Sequence, residues 1–272
     1  MGFYQDEIVP ILINLTMRRR DLSTYRSRVV PYADGRVLEI GIGSGLNLPF
    51  YSRNVKDLIG LEPSPRLLSM VRRNTGSDTP WPELIKGSAE AIPLETHSID
   101  TVVTTWTLCS IPDAALSVRE MRRVLRSTGR LLFIEHGRAA EANVCWWQDR
   151  LTPAWKRIGG GCHLNRPIQK LIEDGGFQFD RLETGYMRGP KPLTFMYEGS
   201  ARPRWQHKIQ CPLWVKSGHF AVSSRCPLYL QKRTLELSRG MSAKCQKRTL
   251  YDRSLIKPET RAACPSPRHR WL

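Results

Sequence analysis

Glu39-Ile40-Gly41-Ile42-Gly43-Ser44-Gly45 is the stretch from which the rest of the chain is read. It closes the apolar run Val37-Leu38-Glu39-Ile40, which has the length and character of a buried strand, and Leu46 to Ser52 then reads as the start of a helix. Glycines between a strand and a helix let the backbone approach a ligand closely. The free N–H groups of the helix start, with its positive dipole, favour a carboxylate there. The spacing is E-x-G-x-G-x-G. A dinucleotide loop would carry its third glycine at position 46, where Leu46 stands, and no G-K-[ST] follows as in a phosphate-binding loop.

Working outward, short apolar runs alternate with amphipathic stretches. Leu58 to Glu62, Leu84 to Lys86, Ile99 to Thr104 and Leu131 to Ile134 read as further strands, with helices over Pro65–Arg73 and Ala114–Arg126. Strands separated by helices of ten or so residues predict parallel βαβ units. Ile168 to Asp174 reads as a helix stopped by Gly175-Gly176, and Phe177–Leu182 and Leu193–Tyr197 as two strands joined by a turn at Gly189-Pro190. With no helix between them, this last pair is expected to be antiparallel. The predicted fold is α/β: a doubly wound, mostly parallel seven-stranded sheet with an antiparallel final hairpin.

Charge divides the chain. The net charge of +17 is +4 over residues 1–200 and +13 over 201–272. Residues 1–32 read as N-terminal cap helices, with Ile8, Ile11, Leu12 and Leu15 at helical spacing before the basic run Arg18-Arg19-Arg20. They either pack on the next domain or meet an anionic membrane surface peripherally. Residues 33–200 form the α/β domain. Residues 201–272 lose all periodicity and hold three diverged copies of a 15-residue unit, seen in Cys211-Pro212-Leu213 against Cys226-Pro227-Leu228 and in Gln231-Lys232-Arg233 against Gln246-Lys247-Arg248. They read as a disordered extension, possible readthrough of repetitive DNA, with a nucleic-acid arm as the alternative.

Seven cysteines without a C-x-x-C pair favour a reducing, cytoplasmic setting. No His/Cys/Asp cluster has metal-ligand spacing along the chain, so no metal is expected. Three further elements carry chemistry. Glu62, at the tip of the second strand, can accept hydrogen bonds from both hydroxyls of a ribose. Gly87-Ser88-Ala89-Glu90-Ala91-Ile92-Pro93 can frame an adenine, with Ile92 against its face. Thr104-Thr105-Trp106-Thr107-Leu108-Cys109 ends the fourth strand, where sheets of this kind place their ligands.

In order and spacing these four elements resemble the class I methyltransferases, within the group that includes the ubiquinone/menaquinone C-methyltransferases. Leu108-Cys109-Ser110-Ile111, Glu135-His136, Trp147-Gln148 through Trp155, and Gly161-Cys162-His163-Leu164 are similar to the methyltransferase-like 7 branch, whose animal members are membrane-anchored thiol S-methyltransferases and whose bacterial members are soluble. The resemblance covers about residues 30–200. It implies S-adenosylmethionine as cofactor. Glu39, Gly41, Gly43 and Gly45 would hold its methionine end, Glu62 its ribose, and Ser88, Ala89 and Glu90 its adenine, with Thr105 beside them. Many relatives carry an acid where Ser88 stands, which shifts the adenine contact toward Glu90. An N-terminal anchor like that of the animal members is not expected here.

The expected reaction is in-line transfer of the methyl to a small apolar acceptor: a thiol, a quinone precursor or a lipid headgroup. A thiol must lose its proton, and His136 is the candidate base, with His163 second. Cys109 reads as a small buried residue. Trp146, Trp147 and Trp155 either wall an acceptor pocket or belong to the core. The alternatives are a nucleic-acid or protein methyltransferase using the basic tail, and a non-catalytic cofactor binder. Against a nucleic-acid substrate, Thr104-Thr105-Trp106-Thr107 lacks the [DN]-P-P-[YFW] motif.

Overall fold

A computed structural model of the chain describes residues 7–74 and 82–204. Two helices, α1 (Val9–Met17) and α2 (Arg20–Val29), lead into β1 (Gly35–Ile40), β2 (Val55–Glu62), α3 (Pro65–Asn74), β3 (Glu83–Lys86) and β4 (Ile99–Thr105). There follow α4 (Ala114–Val124), β5 (Leu125–His136), α5 (Ala142–Ile158), α6 (Ile168–Asp174), β6 (Phe177–Tyr186), α7 (Lys191–Thr194) and β7 (Phe195–Pro203). The sheet has seven strands in the order β3-β2-β1-β4-β5-β7-β6. The first five are parallel, and β7 runs antiparallel to both β5 and β6. The expected doubly wound sheet with an antiparallel end is therefore present.

Both faces of the sheet are covered, which is why its strands read as unbroken apolar runs. Leu38, Ile40, Leu61 and Phe133 pack with Val118 and Met121 of α4 and with Ile168 and Ile172 of α6. On the opposite face, Val37, Val103 and Ile134 pack with Val29 of α2 and Val71 of α3. Strand order reverses between β1 and β4, so a crevice opens outside their C-terminal ends. The glycine-rich stretch and the Thr105–Thr107 turn both arrive there.

Several elements differ from the sequence reading. Leu193 and Thr194, read as the start of the last strand, belong to the four-residue helix α7, whose first turn accommodates Pro192, and β7 begins at Phe195. Leu46 to Ser52 does not start an α-helix. Pro49 has no N–H to give to the Gly45 carbonyl, so no i to i−4 ladder forms there. Shorter bonds close instead, from the N–H groups of Leu48, Phe50 and Tyr51 to the carbonyls of Gly45, Asn47 and Leu48, around one 3₁₀ turn over Leu48–Phe50. The helix after β4 stops at Val124, two residues early, and β5 begins directly. The long helix α5 was not visible in the sequence, because its buried stripe, Val144, Cys145, Gln148 and Thr152, is half polar. The Gln148 amide accepts from the Ala139 N–H and donates to the carbonyls of Gly137 and Pro192, so its burial is satisfied.

Strand β7 runs three residues past the boundary read at 200, and the Arg204 N–H donates to the Gly176 carbonyl at 2.7 Å. The repeats read at 211–255 lie outside the described residues. Every strand of the sheet finds its partners before Arg204. Truncation after Arg204 is therefore expected to leave the melting temperature within a degree or two. A drop of ten degrees, or aggregation, would place part of the fold beyond that residue. No helix among the described residues is long and apolar enough to cross a membrane.

Candidate active site

The crevice is a cavity of about 1020 Å³, lined by the glycine loop, by the ends of β1, β2 and β4, and by α1. That volume lies at the upper end of ligand clefts. Its floor is a chain of polar groups, with Glu39, Asn47 and Arg26 buried and Tyr51 and Thr105 half-buried. The Glu39 carboxylate accepts from the Asn47 amide at 2.7 Å and the Tyr51 hydroxyl at 2.8 Å. The Asn47 amide also donates to the Thr105 hydroxyl at 3.0 Å, and its carbonyl oxygen accepts from Arg26 Nε at 3.0 Å. Arg26 comes from α2 and lies over the Trp106 ring, 5.0 Å from its centre. Burial lowers the Arg26 guanidinium to about 10, opposed by the nearby charge of Glu39. It still carries its charge at neutral pH.

The loop glycines do different work. Gly41 has φ +67°, and a Cβ there would sit 2.5 Å from Thr107 Oγ1, so the loop can pass the β4 turn only as glycine. Gly43 has φ +58°, and a Cβ there would face open space, with the Gly41 carbonyl at 3.8 Å as its nearest neighbour. Gly45 shapes the turn and is not among the residues that line the cavity. Glu62 is buried at the tip of β2, and its two oxygens accept from the backbone N–H groups of Gly43 at 3.1 Å and Ser64 at 3.0 Å. Burial raises its pKa, against the pull of those two N–H groups. Trp106 stands in the left-handed region, φ +50°, which is uncommon for a bulky residue, and its side chain lines the cavity.

Of the sequence-predicted residues, Glu39, Gly41, Gly43, Glu62, Ser88, Ala89 and Thr105 meet around the cavity. Glu90 does not. Its carboxylate accepts from the Asp113 N–H and the Ser88 hydroxyl. Ile92 is buried in the core, and Ile111 lines the cavity instead. Trp146 and Trp147 are 48% and 52% exposed on α5, so they are neither pocket wall nor core.

His136 lies away from the cavity lining. Its Nε2 is 3.0 Å from Cys162 Sγ, and its pKa is raised because the hydrogen bond and charge of Cys162 outweigh burial. His163 Nδ1 lies 3.1 Å from the Cys109 carbonyl and 3.1 Å from an Arg166 nitrogen, and burial lowers its pKa. Cys109 is buried, as read.

Sequence reading missed Arg26, Asn47, Tyr51 and Glu135. Glu135 is fully buried and accepts from the Thr104 hydroxyl and from the N–H groups of Thr107 and Leu108, which ties the β4 turn to β5. Burial pushes both Glu39 and Glu135 up to about 7, with hydrogen bonds opposing. Their signature in the sequence, an acid at the end of an apolar strand, is shared with many surface residues.

A carboxyl whose folded pKa is raised contributes stability that is complete below its ordinary pKa, near 4.5, and is lost as pH rises through 7. Glu135→Gln cannot titrate, so its stability deficit relative to wild type should narrow between pH 5 and 8. The change should be on the order of 3 kcal/mol at most, read from denaturant midpoints of the cofactor-free chain. A deficit that stays constant over that range would show that Glu135 does not titrate there.

Comparison with known proteins agrees with this geometry. Residues 38–133 match the family described as "Methyltransferase domain". The chain is 33% identical over 175 residues to human thiol S-methyltransferase TMT1B, covering 61% of this chain and 69% of that protein. It is 28% identical over 182 residues to human thiol S-methyltransferase TMT1A, covering 65% and 73%. Among solved structures, a SAM-dependent methyltransferase from Thermotoga maritima superposes with a TM-score of 0.55 at 20% identity, over 74% of this chain and all of that one. With the fold, the glycine loop and these relatives in agreement, the chain belongs to the class I S-adenosylmethionine-dependent methyltransferases.

Proposed function

We propose that this methyltransferase transfers the methyl group of S-adenosylmethionine to a thiol, giving a thioether. The observation that carries the reading is one cavity in which the polar strand ends meet an apolar wall with a buried cation. Val9, Pro10, Ile13 and Met17 of α1 line the cavity with the glycine loop and Trp106, and Arg26, buried over the Trp106 ring, shares that lining.

The residues fit the cofactor. Gly43 leaves open space where a Cβ would project. Glu62 spends one lone pair of each oxygen on backbone N–H groups and keeps others for two ribose hydroxyls. Backbone groups of Gly41 to Ser44, over the Glu39–Asn47–Thr105 floor, hold the methionine end, and Ser88 and Ala89 frame the adenine. Bound S-adenosylmethionine supplies a methyl on positively charged sulfur, already activated to leave.

The protein's remaining tasks are to align the acceptor, exclude water and favour the thiolate. The α1 wall serves the first two. A free thiol has a pKa of about 8.5, so a positive neighbour is needed, and Arg26 provides one from within the cavity lining. The human relatives that share 28–33% identity are named thiol S-methyltransferases, which supports the same acceptor class.

The test is to incubate the full chain with methyl-labelled S-adenosylmethionine and, in parallel, a short alkyl thiol, a quinol and an ethanolamine headgroup, with products read by mass spectrometry. Labelled thioether is expected. Label on the quinol or the amine, with none on the thiol, overturns the acceptor. Arg26→Met should cut thiol methylation at pH 7 by about tenfold and recover part of it at pH 9, where the thiol ionises unaided. An unchanged pH profile would remove Arg26 from that role.

A further inference from the structure

We propose that Cys109, His136 and Cys162 form a binding site for a thiophilic divalent cation of the zinc class. These residues are far apart in sequence, and no spacing motif joins them. The fold brings them together from the loop after β4, the last residue of β5 and the loop after α5, with their two sulfurs and one ring nitrogen all within 4.8 Å of one another. Among the described residues no other group of three potential ligands converges in this way. The expectation of no metal rested on spacing along the chain, which cannot register a site assembled from three separate loops.

The site is held from behind by the backbone. After α5 the chain reverses through Gly160 and Gly161, at φ +61° and +86°. The next residues are then stitched to the opposing loop, with the His163 N–H donating to the Cys109 carbonyl at 2.8 Å. Both cysteine-bearing loops are thus fixed against each other. Trp155 Nε1 donates to Cys162 Sγ at 3.3 Å, the kind of outer hydrogen bond that orients a metal-bound thiolate.

The donor set suits the ion. Zinc takes sulfur at about 2.3 Å and imidazole nitrogen at about 2.0–2.1 Å, so tetrahedral ligation asks for an N–S separation of about 3.5 Å. His136 Nε2 and Cys162 Sγ are 3.0 Å apart, so a small parting of the two side chains admits the ion. Two thiolates balance its double charge. Three protein ligands leave the fourth position for water or an added thiolate, as in catalytic rather than structural zinc sites. Ser110 and Gly160, near neighbours of the cysteines in sequence, line the large cavity.

The rival use of these sulfurs is a Cys109–Cys162 disulfide, and the test separates the two. The full chain is prepared with Cys211, Cys226, Cys245 and Cys264, all outside the described residues, changed to serine so that they do not scavenge metal. It is reduced, freed of metal and titrated with Co²⁺. The expected result is one equivalent bound, with thiolate-to-cobalt charge transfer and tetrahedral d–d bands that one equivalent of Zn²⁺ abolishes. Cys162→Ser and His136→Gln should each weaken binding at least tenfold while the circular dichroism stays unchanged. As a check that needs no change within the cluster, Zn²⁺ should shield the half-buried Cys162 from maleimide in the same protein. Absence of a stoichiometric complex overturns the site, as does a complex that survives Cys162→Ser undiminished. A Cys109–Cys162 disulfide formed on mild oxidation, with no cobalt complex of the reduced chain, assigns the pair to redox chemistry and also overturns it.

Discussion

Gly43→Arg is expected to abolish S-adenosylmethionine binding while leaving a folded protein. The two effects separate because of where the new side chain goes. The backbone at φ +58° carries a penalty of roughly 1–2 kcal/mol for a residue with a Cβ. In a domain of this size, that amounts to a few degrees of melting temperature. The Cβ itself meets nothing closer than the Gly41 carbonyl at 3.8 Å, so the arginine is not forced into the core. It extends into the cavity that the loop lines and fills the place assigned to the methionine end of the cofactor. Its positive charge also faces the sulfonium. Gly41→Ala makes the opposite case: its Cβ would strike Thr107, so there the loop itself must move. Calorimetric titration of Gly43→Arg should give no heat beyond dilution. Affinity within a few-fold of wild type would remove this loop from the site.

The second large effect is expected from Glu62→Ala. The carboxylate is buried at the tip of β2 and holds the Gly43 and Ser64 N–H groups, so its loss removes both the ribose acceptor and a strut of the loop. Hydrogen bonds to a charged group contribute about 1.5–3 kcal/mol. Cofactor affinity should therefore fall roughly ten- to hundredfold. Glu62→Gln keeps the shape and one acceptor, so it should lose less. If both variants bind within twofold of wild type, Glu62 plays no part in holding the ribose.

The sheet was legible because its strands are covered on both faces and so stand out as apolar runs with helices between. Val37 to Ile40 and Leu131 to Ile134 are examples. The antiparallel final pair was legible because the stretch between its strands is too short for a crossover helix, and only the four-residue α7 lies there. Helix α5 was not, since Gln148 and Thr152 occupy its buried stripe and only the tertiary partners of Gln148 explain why. Leu46 to Ser52 read as the start of a helix after the glycine turn, and Pro49 prevented it.

At the site, residues adjacent to strand ends were readable: Glu39, Glu62, Ser88, Ala89 and Thr105 all reach the cavity. Groups that arrive from far along the chain were not. Arg26 reads as one more arginine of a basic helix until α2 places it over Trp106 and against Asn47. His136 was singled out for its place at the end of β5, but its neighbour Cys162 comes from a loop 26 residues away.

The central claim is that the crevice beyond β1 and β4 is built for S-adenosylmethionine. Titration calorimetry of the full chain with S-adenosylmethionine and, separately, with NADH tests it most directly. Saturable one-to-one binding of S-adenosylmethionine, with NADH silent, is the predicted result. Binding of NADH, or of neither ligand, would contradict it.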